Sequence, residues 1–299
     1  MTSALRSIGF LGLGTMGAPM ARNLLKAGFA LRVYDVVPQA ITALVASGAV
    51  AAGSPAEAAD GVDALITMLP NGQHVESALL GSGGALERLA PGALVIEMST
   101  ISPAVTDRIA DVLAARGIAM VDAPVGRSSQ HAIDGKLLVM AGGNDADVAR
   151  AMPLLQCLGD TIVRCGRSGS GARMKLVNNF MSTTINVTTS EALTLAEASG
   201  IDPELARTVM LGTVAGQGHL GTTYPAKVLR NDLSPGFMVD LAEKDLGLAL
   251  DLASSLGVRL PTGEAARASY LEAKGDGHGR EDWTSIYAMA RAANRKQPV

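Results

Sequence analysis

The chain has 299 residues, a formal net charge of −3, two cysteines and four histidines. Its length suits two domains with a sizeable core, and mild acidity without basic patches or interleaved aromatics excludes nucleic acid as an expected partner. Cys157 and Cys165 are too few for a disulfide framework, His74, His131, His219 and His278 show no metal-ligand spacing, and no apolar run reaches the ~20 residues of a membrane span, so a soluble, cytoplasmic, metal-free protein without a leader or membrane contact is expected.

An apolar strand at Ile8 to Leu11 breaks into Gly12-Leu13-Gly14-Thr15-Met16-Gly17, which reads directly into a helical pattern. This is the spacing of a dinucleotide-binding turn. Gly12 allows the tight exit from the strand, Gly14 lets the backbone approach a pyrophosphate, and Gly17 allows close contact between helix and sheet. The free N–H groups and positive dipole of the helix start then face the phosphates. The next strand, Ala30 to Tyr34, ends at Asp35, whose carboxylate can accept from both hydroxyls of an adenosine ribose and would repel a 2′-phosphate. Val36-Val37-Pro38 offers no arginine for that phosphate, so NAD(H) is expected over NADP(H), with Arg32 inside the strand as a feature against. The alternative is a plain glycine turn beside a surface aspartate.

Strand-length apolar runs follow at 64–69, 94–99, 119–125, 137–141 and 161–164, alternating with helical patterns, which predicts a doubly wound, Rossmann-type α/β sheet. Asp134-Gly135 reads as a turn into a strand that is free to run antiparallel. Ligands bind at the carboxyl edge of such sheets. Two loops there, Leu69-Pro70-Asn71-Gly72 and Ser99-Thr100-Ile101-Ser102-Pro103, either contact the cofactor through Leu69, Pro70 and Thr100 or are plain connections. Ser102 reads better as an N-cap ahead of Pro103 than as a ligand contact.

The pattern changes at Gly166-Arg167-Ser168-Gly169-Ser170-Gly171, a glycine-rich hinge. A cofactor domain over 1–165 and an all-α substrate and oligomerisation domain over 166–299 are expected, with a long interdomain helix over about 170–198. The apolar stretch containing Leu241, Leu246, Leu248, Leu250 and Leu252 exceeds the need of one small bundle, which points to a homodimer or homotetramer. On the long helix Lys175 and Asn179 share a face, with Asn178 and Ser182 nearby, amid Met174, Leu176, Val177 and Met181. A lysine on a helix is most often simply exposed.

Four motifs in order, Gly9 to Met20, Asp122-Ala123-Pro124-Val125, Gly171 to Asn179, and Phe237 to Leu246 with its Lys244-Asp245-Leu246 core, resemble those of the β-hydroxyacid dehydrogenases over nearly the whole chain. That family includes 3-hydroxyisobutyrate dehydrogenase and tartronate semialdehyde reductase. The resemblance implies an NAD-dependent oxidoreductase in which Lys175 is the catalytic acid/base, Asn179 holds it or the substrate, and Lys244 closes over the cofactor from the helical domain. Where much of the family follows Asp-Ala-Pro-Val with serine and two glycines, this chain has Gly126-Arg127-Ser128-Ser129. Arginine suits an oxyanion with several acceptors. The segment Val125-Gly126-Arg127-Ser128, with Gly216-Gln217-Gly218-His219 and Gly279-Arg280-Glu281-Asp282-Trp283, resembles the 3-sulfolactaldehyde reductase branch of that family.

On that likeness the substrate is a short aldehyde bearing a sulfonate, reduced with NADH to 2,3-dihydroxypropane-1-sulfonate, and the anion is held by Arg127, Ser128 and the turn Asn178-Asn179-Phe180-Met181-Ser182. Three alternatives remain at this point: Arg127 in a surface or interdomain salt bridge, a carboxylate substrate such as 3-hydroxyisobutyrate, succinic semialdehyde or tartronate semialdehyde, and a non-catalytic NAD-binding sensor.

Overall fold

The computed structural model describes residues 5–219 and 223–293. Two units make up the chain, Met1–Phe180 and Met181–Val299. The first alternates strands and helices: β1 (Ser7–Leu11), α1 (Gly17–Lys26), β2 (Ala30–Tyr34), α2 (Pro38–Val45), β3 (Val50–Ala51), α3 (Pro55–Ala59), β4 (Ala64–Thr67), α4 (Gly72–Leu80), β5 (Leu94–Glu97), α5 (Pro103–Ala114), β6 (Ala119–Asp122), β7 (Val125–Gly126), α6 (Ser129–Ile133), β8 (Leu137–Gly142), α7 (Asp145–Leu158) and β9 (Gly159–Gly166). The first turns of α8 (Ser170–Ala198) complete it.

The strands order as β3-β2-β1-β4-β5-β6-β8-β7, with β9 on β8. Strands β1 to β6 pair in parallel, so their carboxyl ends line one edge. Strand β8 runs antiparallel to β6 and β7, and β9 returns parallel to β8. The antiparallel course after Asp134-Gly135 is therefore realised. Successive residues of the central strands enter opposite cores: Ile8, Phe10, Ile66, Leu94 and Ile96 pack on one face, and Leu11, Leu65 and Val95 on the other. Burial on both faces is why these strands read as unbroken apolar runs rather than as an alternation.

Helix starts follow local chemistry. Asn71 accepts from the His74 amide at 3.1 Å to cap α4, and Asn144 accepts from the Asp147 amide at 2.8 Å to cap α7. Ser102 occupies the N-cap position of α5 with Pro103 behind it, but its hydroxyl makes no capping bond. The proline supplies a fixed φ and needs no donor satisfied there. The two-residue β3 was not foreseen, and α7 continues through Pro153.

The second unit is helical after α8: α9 (Pro203–Leu211), α10 (Val214–Gln217), α11 (Thr223–Ala226), α12 (Val239–Ser255), α13 (Pro261–Gly275) and α14 (Ile286–Ala293). Among the described residues no helix is long and apolar enough to cross a membrane.

One acidic side chain lies in the sheet itself. Glu97 ends β5 with no solvent exposure, its Oε1 accepting from the Ser99 amide at 2.7 Å and from the Thr67 hydroxyl at 3.5 Å. Burial pushes its pKa up to about 8, and the neighbouring Asp122 adds to the rise. The folded state therefore holds a proton that the unfolded state releases near the ordinary glutamate value. This contribution is fully present at acid pH and is lost as pH rises toward about 8. Glu97→Gln is expected to lose less thermal stability than the wild type as pH is raised from 5 to about 8, read as Tm against pH; parallel curves would show that Glu97 does not carry the buried proton.

Candidate active site

The glycine loop after β1 has the shape that the spacing predicts. Gly12 has φ +95° and donates its N–H to the Tyr34 carbonyl at 3.0 Å, and a Cβ there would overlap the Met68 carbonyl. A Cβ on Gly17 would overlap the Gly12 carbonyl oxygen, so α1 sits against the loop with only a hydrogen atom between them. Gly14 differs, because nothing lies within 4 Å of where its Cβ would be. No side chain caps the start of α1, and Thr15 is exposed while Met16 is partly buried. Open space over Gly14 beside an uncapped helix N-terminus fits a pyrophosphate.

Asp35 stands just beyond β2 and ties the loop to it. Its Oδ2 accepts from the Leu13 amide at 2.6 Å and its Oδ1 from the Val37 amide at 2.8 Å. Each carboxylate oxygen has a second lone pair, so both can still take a ribose hydroxyl. The Leu69 amide donates to the Ser99 hydroxyl at 2.9 Å, which joins the loops after β4 and β5, and Pro70 and Thr100 are exposed at the same edge.

The start of α8 meets this edge at Asp122. The Asp122 carboxylate, fully buried at the end of β6, accepts from the Gly169 amide at 2.7 Å and from the Ala172 amide at 2.8 Å. Burial pushes its pKa up, and the amides of Ala172, Gly169 and Gly171 oppose that rise. Lys175 follows within the next turn and is half-buried, which pushes its pKa below the usual lysine value. Asn179 is partly buried on the same face, and the Asn178 amide nitrogen donates to its Oδ1 at 3.3 Å. Phe180, Met181 and Ser182 continue the helix with exposed side chains.

Arg127 lies past the carboxyl end of β6, because β7 pairs with the beginning of β8, at Leu138 and Val139. Its guanidinium is held by the Lys136 carbonyl at 2.5 Å, by Asp160 Oδ1 at 2.6 Å and by the Thr161 hydroxyl at 2.9 Å. Thr161 and Arg127 together hold Asp160 below the usual carboxylate range. Ser128 bonds His131 at 2.8 Å. The structure thus gathers the glycine loop, Asp35, Leu69, Pro70, Thr100 and the first turns of α8 at one sheet edge, with Arg127 paired to β9 on the same side. Sequence reasoning missed Asp160 and the capping role of Asp122. Asp122 stood in a quoted motif, but its bond partners lie at Gly169 and Ala172, too far along the chain for any spacing to reveal.

In the second unit, the segments around His219 and Trp283 come together, with the two rings edge-on at 4.8 Å. Beside them Asp282 accepts from Gly236, Thr284 and Lys227; burial, which would raise its pKa, is outweighed by these bonds, and the pKa falls to about 2. Helix α12 carries Lys244, but its side chain, like those of Leu241, Asp245, Leu248 and Leu252, lies outside the described residues.

A parallel sheet with a glycine-rich dinucleotide loop at its carboxyl edge defines the class of Rossmann-type dinucleotide-binding proteins. Residues 7–166 match the NAD binding domain of 6-phosphogluconate dehydrogenase, and 169–290 match the NAD-binding domain of NADP-dependent 3-hydroxyisobutyrate dehydrogenase. The 3-sulfolactaldehyde reductase of Escherichia coli K12 is 48% identical over 96% of each chain, and the 3-hydroxyisobutyrate dehydrogenase of Pseudomonas aeruginosa is 39% identical over 95% of this chain and 98% of its own. A solved 3-hydroxyisobutyrate dehydrogenase from Mycobacterium tuberculosis, with L-serine, has a TM-score of 0.68 at 32% identity, covering 96% of this chain and 99% of its own. An imine reductase from Myxococcus stipitatus with NADP+ reaches a TM-score of 0.87 at 18% identity over 95% and 99% of the two chains, a likeness of fold alone. The chain belongs to the 3-hydroxyisobutyrate dehydrogenase family of β-hydroxyacid dehydrogenases, and it is an NAD-dependent oxidoreductase.

The open space at Gly14 yields a clean test of cofactor binding. Gly14→Ala should leave the Tm of the ligand-free enzyme within about 1 °C, since no protein atom opposes the new methyl, while the Kd for NADH rises about tenfold or more, a change of ~1.4 kcal/mol. Unchanged NADH affinity in a titration by fluorescence would place the pyrophosphate elsewhere.

Proposed function

We propose that this protein is a cytoplasmic, NADH-dependent reductase of 3-sulfolactaldehyde that forms 2,3-dihydroxypropane-1-sulfonate. The observation that carries this reading is the 48% identity over 96% of each chain to the E. coli 3-sulfolactaldehyde reductase. The glycine loop and Asp35 would hold NADH, which would supply the hydride that the aldehyde carbon takes up. Lys175, as an ammonium, donates a hydrogen bond to the carbonyl oxygen while negative charge builds there, and then gives up its proton to make the alcohol. Asn179, one turn along the same face, orients that ammonium or a substrate hydroxyl. The burial that lowers the Lys175 pKa eases this proton transfer, and in oxidation it leaves more neutral amine to receive the hydroxyl proton.

Arg127 binds the sulfonate by exchanging Asp160 for it. The side chains of that pair are 32% and 49% exposed, and ion pairs so exposed contribute only ~0–1 kcal/mol. A sulfonate offers three acceptor oxygens to the guanidinium fork, so the exchange is favourable once substrate is present. Ser128 and the turn from Asn178 to Ser182 complete the anion site. The exposed apolar row Met174, Val177, Met181 and Ile185 on α8 supports a homodimer or homotetramer.

The relatives at 38% and 39% identity, an L-serine dehydrogenase and a 3-hydroxyisobutyrate dehydrogenase, favour a second reading in which the anion is a carboxylate. Steady-state kinetics separate the two. With NADH, kcat/KM for 3-sulfolactaldehyde should exceed that for succinic semialdehyde or tartronate semialdehyde at least tenfold, about 1.4 kcal/mol of transition-state discrimination. Arg127→Ala should cost about 10- to 100-fold in kcat/KM on the sulfonate and less on the carboxylates, in keeping with ~1.5–3 kcal/mol for a charged hydrogen bond; equal losses would make the site a general anion site, and no loss would make Arg127 structural. Lys175→Ala should keep NADH affinity within about twofold and lower turnover by roughly 10²- to 10⁴-fold. Turnover near that of the wild type would remove the lysine from the chemistry.

A further inference from the structure

We infer that Asp122 is a positioning residue for proton transfer: by accepting the amide groups at the start of α8, its buried carboxylate fixes where the helix bearing Lys175 begins. The inference rests on the acid/base reading of Lys175. Asp122 has no solvent exposure, and the bonds its side chain accepts, at 2.7 Å from Gly169 and 2.8 Å from Ala172, all come from N–H donors. That is the pattern of an anion seated on a helix N-terminus, where the partial positive charge of the first turn compensates it.

The joint has no slack. A Cβ on Gly171 would overlap the Met140 carbonyl oxygen and lie 2.6 Å from the Asp122 carbonyl oxygen. One on Gly142 would lie 2.6 Å from Asp122 Oδ1 and 2.8 Å from the Gly171 amide nitrogen. The ends of β6 and β8 and the start of α8 therefore meet backbone to backbone around this carboxylate, and α8 cannot slide sideways without losing both bonds. Lys175 comes three residues after Ala172, within one helical turn of the last bonded amide. A shift at the cap moves the ammonium by a similar distance, and a small misplacement is enough to lose proton-transfer geometry. It also changes how deeply the lysine is buried. Glu97, paired in register with Asp122 on β5, has its pKa pushed up by burial, so it adds little negative charge beside this carboxylate at neutral pH.

The test uses the full-length enzyme. Asp122→Asn keeps the shape but turns an amide N–H₂ toward one of the two N–H donors. The expected result is a kcat lower by 10- to 100-fold, a KM for NADH within twofold of wild type, and, in the oxidation direction, a pH–kcat limb assigned to the lysine that moves up by at least half a pH unit as the ammonium becomes more exposed. Should that variant fail to fold, Gly171→Ala displaces the same helix start with the carboxylate intact and is expected to give the same three changes. A folded variant of either kind with kcat and pH limb unmoved overturns the proposal. So does a loss of kcat that comes with an equal loss of NADH affinity and an unmoved limb, because that is a merely structural effect. Lys175→Ala, run alongside, separates the failures: an active Lys175→Ala enzyme removes the acid/base reading, whereas an inactive one beside a fully active Asp122→Asn enzyme removes only the positioning role.

Discussion

The first amide groups of α8 have no carbonyl partners within their own helix, and the Asp122 carboxylate is buried where water cannot reach it. Each group supplies what the other lacks, through bonds at 2.7 and 2.8 Å. Because β6 ends the parallel run formed by β1 to β6, this joint also attaches α8 to the edge where β1, β2, β4 and β5 deliver the glycine loop, Asp35, Leu69 and Thr100. A helix packed on the face of the sheet would keep its polar side chains away from that edge. Starting α8 at the edge places a half-buried lysine near the carboxyl ends of the strands, where its surroundings favour the neutral amine more than water does.

The same edge is held together by small polar bonds. Ser99 accepts from the Leu69 amide, and Glu97 accepts from the Ser99 amide, so the loops after β4 and β5 share one network. Asp35 plays the corresponding part between β2 and the glycine loop. In each case a side chain at a strand end satisfies backbone of the neighbouring loop, which fixes loop geometry in ligand-free protein and reduces the ordering that a cofactor must impose.

What could be read from the sequence was local. The glycine loop is legible because its three glycines fall within six residues of one another at the spacing of a dinucleotide turn, although the Cβ that Gly12 lacks would meet the distant Met68 carbonyl, and the central strands because burial on both faces leaves continuous apolar runs such as Leu94-Val95-Ile96. The face shared by Lys175 and Asn179 follows from helical period alone. What escaped depends on pairs distant in the chain. Strand β3 has two residues, both exposed, and exists because it adds to β2. The bond of Arg127 to Asp160 arises because β8 folds back between them and β9 pairs beside it. The adjacency of Glu97 and Asp122 is a matter of register between β5 and β6. Ser102 shows the opposite limit: the position was legible, but the hydroxyl does not make the bond that the residue type suggests.

Arg127 also has a backbone that its side chain does not favour. Its φ is +77°, in a region that glycine enters freely and an L-residue with a Cβ does not. Strain of this kind costs of the order of 1–3 kcal/mol. The half-exposed pair with Asp160 returns only ~0–1 kcal/mol. The bonds to the Lys136 carbonyl and the Thr161 hydroxyl add to that, but both are neutral acceptors that a shorter side chain would leave to water. On this balance a guanidinium at position 127 is difficult to account for as a stabilising device, while a ligand anion that draws two or more charged hydrogen bonds from it would offset the strain with margin. Under the proposed reading, that anion is the sulfonate of the substrate.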